Sequence, residues 1–189
     1  MIVARAMLVS ESPLSMSKAH DVPKLSDKEA KDDYERRTWR ERLHYDRKKG
    51  EVFIPPMMLK NCLSGAAKYL SMRVPGSGKA TFTKHFEAGV LVQDLLFLGI
   101  KKDDVEGETL FVPSDGKRGG GSRVMKTFPI IHEWSGEAVF YILDETITKE
   151  VFLYHLEEAG KFMGLGRFRP RNNGYYGRFS VKSLSWAAE

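Results

Sequence analysis

The sequence predicts an α+β domain: a four-stranded antiparallel sheet with two helices on one face and large loop insertions. Three observations carry that expectation. Apolar residues recur at a helical spacing in two stretches, residues 55–72 and 147–163. Short β-prone apolar runs precede, separate and follow those stretches. Between them lie segments too charged or too rich in glycine to build a core.

Taken in order, residues 2–9 read as a buried first strand that runs into Ser10-Glu11-Ser12-Pro13. Residues 10–50 carry dense, interleaved charge and read as a solvated, partly helical insertion. In residues 55–72, Leu59, Cys62, Leu63, Ala66 and Leu70 share a face, and Pro55 and Pro56 suit a helix start, where a missing N–H is harmless. Residues 74–79 are a loop. Residues 89–98 read as a strand, with a short buried helix left open by periodicity alone. Residues 99–126, with Gly119-Gly120-Gly121 and many charges, are expected to project as a flexible excursion. Residues 127–131 and 137–143 look extended, hinged at Trp134-Ser135-Gly136. The second helix is capped at Thr146 or Thr148, buries Phe152, Leu156, Ala159 and Met163, and ends at Gly164. A last strand covers residues 179–186. The order strand, helix, strand, strand, helix, strand is the ferredoxin-like or RRM-like pattern, whose open sheet face is a common platform for single-stranded RNA.

Length and composition narrow the class. A chain of 189 residues suits a single domain over residues 1–189, and 42% hydrophobic content with 29% charge suits a folded, soluble one. The formal charge of +5 favours a polyanionic partner only if the charge is clustered. The lone cysteine, Cys62, precludes an internal disulfide and reads as a small buried hydrophobe. Residues 1–9 are too short for a secretory signal, no stretch is long enough to span a membrane, and a cytoplasmic protein is expected. The five histidines lack metal-ligand spacing, so no metal or cofactor is expected. Gly76-Ser77-Gly78-Lys79-Ala80 is not a nucleotide-binding P-loop, because Arg73 and Ala80 stand where the pattern needs glycine and a hydroxyl residue.

The strongest local signal is the run from Gly164 to Phe179. From Lys161 to Ala188 there are six Lys or Arg residues and no Asp or Glu. Its glycines allow backbone N–H groups close to an anion, Arg167, Arg169, Arg171 and Arg178 offer forked donors, and Tyr175 and Tyr176 offer stacking faces. Asn172 and Asn173 lie between them. A second basic run, Lys117, Arg118, Arg123 and Lys126, is either a finger laid over nucleic acid or a solubilising loop. His20, with Asp21 beside it, is a candidate acid or base for RNA cleavage, although a structural role is the simpler account.

Four segments in order resemble the RAMP superfamily, the crRNA-binding backbone proteins of class 1 CRISPR effector complexes. Val52-Phe53-Ile54-Pro55-Pro56-Met57-Met58-Leu59-Lys60 resembles that family's Ile-Pro-Gly-Ser-Ser-Leu-Lys helix start. Ser10-Glu11-Ser12-Pro13-Leu14 resembles its Thr-Pro-Leu, residues 89–94 its second-strand pattern ending in Asp, and residues 164–179 its glycine-rich loop. Pro56-Met57-Met58 departs from the family by lacking its hydroxyls, while Lys60 remains. The resemblance implies binding of a guide-type single-stranded RNA, with Lys60 among the contacts, and assembly with further copies or other CRISPR effector subunits. It also implies a thumb-like role for residues 99–126. Some relatives cleave RNA with an Asp after the first strand, a place Asp21 or Asp27 can fill. A non-catalytic RNA-binding subunit is expected first and a metal-independent endoribonuclease second. A solitary or phage-borne mimic that interferes with a CRISPR complex is the third reading.

Overall fold

The computed structural model describes residues 1–188 other than Asp115, Lys117, Arg118 and Gly120. At its centre, strand β1 (Ile2–Ser10) lies between β8 (Ser135–Ile142) and β9 (Phe179–Ala188), antiparallel to both. A two-residue strand, β4 (Val90–Leu91), extends the β8 side, giving the order β4-β8-β1-β9. Strict alternation explains the layering. Ala4, Ala6 and Leu8 of β1, with Ala138, Phe140 and Ile142 of β8, are buried. The opposite face bears Arg5, Glu137 and Tyr141, with Arg5 3.7 Å from Glu137.

Helices α2 (Pro56–Leu70) and α4 (Lys149–Glu158) cover the buried face. Pro56 occupies the first helical position of α2, and Ser71 ends it in the left-handed conformation. Thr148 caps α4, accepting a hydrogen bond from the Val151 N–H at 3.3 Å. Phe152 packs against Phe140 at 5.1 Å and against Trp186 at 5.5 Å. A π-turn over residues 159–163 follows α4. Gly160 is required there, because a Cβ would run into the Phe179 carbonyl.

Three expectations are corrected. Residues 89–98 are not one strand: α3 (Thr83–Gly89) gives way to β4, and after a break β5 (Leu96–Lys101) leaves for a separate ribbon with β3 (Glu51–Ile54). The near-continuous apolar run arises because Val90 and Leu96 enter the same core from two sheets. The charged insertion is not merely solvated. Its helix α1 (Lys31–Thr38) and the following 3-10 turn bury Thr38, Trp39 and Leu43, and ion pairs satisfy the charges, Arg42 with Glu35 at 2.7 and 2.9 Å and Arg37 with Glu29 at 3.0 Å. The expected flexible excursion over residues 99–126 is largely a β-hairpin, β6 (Glu106–Pro113) paired with β7 (Arg123–Ile131). Gly107 lets Trp39 lie against it, so the insertion and the hairpin support each other. Strand β2 (Leu14–Ser15) completes that second sheet. No helix among the described residues is long and apolar enough to cross a membrane.

Candidate nucleic-acid interface

The glycine-rich loop is built by backbone contact. Gly177 donates its N–H to the Pro13 carbonyl at 2.7 Å, Arg167 to the Ser15 carbonyl at 2.8 Å, and Gly174 to the Arg169 carbonyl at 3.1 Å. Gly166 and Gly177 have φ of +72°, and a Cβ at either would strike the Ser15 or the Leu165 backbone. The glycines therefore seat the loop on the end of β1 and on β2; these N–H groups are spent inside the protein. Phe168 is held at φ +52°, a conformation a bulky side chain adopts only under constraint.

The constraint turns Phe168 over a cleft of about 830 Å³ bounded by this loop, the β6–β7 hairpin and residues 17–20. On its wall the Arg167 guanidinium is sandwiched between Phe128, 3.9 Å away, and Phe168, 4.3 Å away. Its nitrogens donate to Glu108 and to the Ser15 hydroxyl, each at 3.1 Å, and burial lowers its pKa against the pull of Glu108. Arg42 donates to the Thr127 carbonyl at 2.7 Å as well as to Glu35. Both arginines hold the cleft together. Lys18, Arg123 and Lys126 also line it, and none of the three is ion-paired to a described carboxylate. Arg123 lies 5.8 Å from the exposed Phe111 ring, and Lys126 donates to the Ser114 carbonyl at 3.4 Å. His20 is in the wall. Burial, then Arg42, lowers its pKa, and its Nδ1 is buried with no hydrogen-bond partner. Both effects favour the neutral imidazole.

The remaining expected site residues are dispersed. Arg169 and Arg171 flank a small recess beside α2, shared with Asn61, Cys62 and Met163. Asn172, Asn173 and Tyr175 are exposed at the loop's outer edge. Tyr176 is buried; its hydroxyl donates to Glu108 at 3.0 Å, and burial pushes its pKa up, so it is no stacking face. Arg178 is exposed near Glu11 and Glu157. Lys60 donates to the Phe86, Glu87 and Val90 carbonyls at 2.6, 2.9 and 2.5 Å, closing the end of α3 rather than facing outward. Asp21 is exposed and does not line the cleft. Lys117 and Arg118 lie outside the described residues. The open face of the four-stranded sheet presents Tyr141 as its aromatic residue, not a row of rings. Sequence reasoning missed Lys18, Phe111, Phe128 and the placement of Phe168. The alternation Lys126, Phe128 on one strand was the available signal, hidden because the expected strand began at Thr127 and left Lys126 in the excursion.

No protein-family model matches the sequence, and no curated protein resembles it in sequence. Solved structures do resemble it in fold. One is a chain of the cryo-EM structure of the type III-B Cmr-beta complex bound to cognate target RNA. It superposes with a TM-score of 0.58 over 98% of this chain at 12% identity. This chain spans 60% of that one's length. Another is Cmr6 from Pyrococcus furiosus, with a TM-score of 0.52 and 11% identity, covering 96% of this chain and 99% of that one. The likeness is one of fold, shared with these two structures.

Proposed function

We propose that this chain binds single-stranded RNA in the cleft between the β6–β7 hairpin and the glycine-rich loop, as a subunit of a CRISPR-type ribonucleoprotein. The observation that carries the reading is the pairing of Lys18, Arg123 and Lys126, none of them ion-paired to a described carboxylate, with the Phe128–Arg167–Phe168 stack. Cations that track phosphates beside rings that accept bases are what a sequence-tolerant single-strand site requires. Arg169 and Arg171, on the other side of the same loop, extend the cationic path toward α2. The strand order β4-β8-β1-β9, with α2 and α4 on one face, supports a ferredoxin-like, RRM-like core, and the hairpin is the candidate thumb.

The test is binding of a fluorescein-labelled single-stranded RNA, followed by anisotropy. The variant Lys18→Ala/Arg123→Ala/Lys126→Ala should bind about 150-fold more weakly, at roughly 1 kcal/mol for each cation removed from a phosphate. Wild-type affinity in that variant would remove the proposal. His20 favours a second, nucleolytic reading, because a neutral imidazole in a cationic cleft can accept a 2′-hydroxyl proton. RNA cleavage in EDTA, abolished in His20→Ala, would support it in the same assay.

A further inference from the structure

The β3–β5 ribbon has a solvent face of its own. Alternation places Glu51 and Phe53 of β3 and Phe97, Gly99 and Lys101 of β5 on it, with Phe53 opposite Phe97 and Glu51 opposite Lys101. Residues 44–46 run alongside β3: Tyr45 bridges Val52, and Phe53 donates its N–H to the His44 carbonyl at 3.0 Å. Three rings therefore cross three adjacent segments. His44 lies 6.1 Å from Phe53, and Phe53 lies 5.8 Å from Phe97 in an edge-to-face arrangement. Phe97 is 38% exposed, and Gly99, with φ +67°, has open space where a side chain would stand. An exposed ring supported from behind and unobstructed at its side is a poor core residue and a good stacking surface.

The charges around this row are mostly positive. Lys18 has its ammonium 6.0 Å from the Tyr45 ring, at the edge of the ribbon formed by residues 44–46. Lys101 is exposed at the other end, its ammonium donating to the Lys49 carbonyl at 2.9 Å, beside the exposed turn residues Arg47, Lys48 and Lys49. Among the acids nearby, Asp46 accepts the Lys48 and Lys49 N–H groups, Glu41 is bound to Lys102 and Tyr45, and Glu51 accepts the Gly99 N–H. Lysine is depleted in the cores of protein interfaces, and aromatic rings flanked by mobile cations suit a nucleic-acid strand better. Lys18 also lines the cleft, which makes the two surfaces continuous.

We propose that this face of the β3–β5 ribbon is a second single-strand subsite, in which a base stacks on Phe97 while Lys18 and Lys101 hold the flanking phosphates of a strand leaving the cleft. The inference rests on the cleft being a nucleic-acid site. A 15-nucleotide fluorescein-labelled oligouridylate separates the two. Phe97→Ala should weaken its binding by about 5- to 100-fold, the loss of one stacked base. Phe97→Trp should restore it, and both variants should show a cooperative melt well above the assay temperature. Phe97→Ala/Lys101→Ala should bind more weakly still. If the wild type binds, the cleft triple variant does not, and Phe97→Ala equals wild type, this subsite is refuted and the cleft stands. If the wild type does not bind, both fall. If Phe97→Ala leaves RNA affinity intact and abolishes self-association, the face is a protein interface and the proposal is overturned.

Discussion

Arg167 and Tyr176 look like ligand-binding residues in the sequence, yet both converge on Glu108. Removing either would leave a part-buried carboxylate short of a partner, so their loss damages the fold as well as any binding. That is why the binding test uses Lys18, Arg123 and Lys126. His155 poses the opposite case, a titratable residue with a purely structural environment. It is fully buried, stacked on Phe86 at 4.3 Å, and its Nδ1–H donates to the Val151 carbonyl at 2.7 Å while Nε2 has no partner among the described residues. Burial lowers its pKa below 6.5. The unfolded chain then binds the proton more readily, so this contribution to stability is complete above about pH 6.5 and is lost as pH falls through the lower, folded value. Thermal melts from pH 7.5 to 5 should show declining stability, and His155→Phe should flatten that decline. An unaltered pH profile in His155→Phe would contradict the assignment. Little of this was readable beforehand, since the five histidines are indistinguishable in sequence until burial separates them.

At the scale of elements, the glycine-rich loop was located correctly from its composition, but its mechanism was not. Alternating arginines suggested one cationic array. The loop's backbone instead directs Arg167 into the cleft, Arg169 and Arg171 toward α2, and Arg178 toward Glu11. The loop's shape depends on glycines that let main chain touch main chain. Gly177→Ala should therefore destabilise by about 2–4 kcal/mol, combining a left-handed alanine with a clash against Leu165. Gly78→Ala, equally left-handed at φ +62° but in open space, should cost only about 1 kcal/mol. Equal denaturant midpoints for the two variants would show that the close approach is unimportant. The two long helices were legible because 3.6-residue periodicity is local. Strand partners were not, because pairing joins residues far apart in the chain, as in β3 with β5 and β2 with β7.

Over the whole molecule, a net charge of +5 acquires meaning only through its placement. Glu29 and Glu35 of the insertion are drawn into pairs with Arg37 and Arg42, while Lys18, Arg123, Lys126, Arg169 and Arg171 lie around one loop and its cleft. If all five meet phosphates, the logarithm of the RNA-binding constant should fall with the logarithm of salt at a slope of about −3.5, at roughly 0.7 per phosphate neutralised on a single strand. A slope near zero would mean that binding, if any, is not made by this surface. By itself the sequence determined the α+β class, the two helices with their buried stripes, and the position of the glycine-rich loop between Gly164 and Phe179, because each is written in local periodicity or composition. Only the tertiary structure decided which cations remain free. Whether an arginine meets solvent or a carboxylate depends on Glu35 and Glu108, brought to Arg42 and Arg167 by chain folding across 7 and 59 residues.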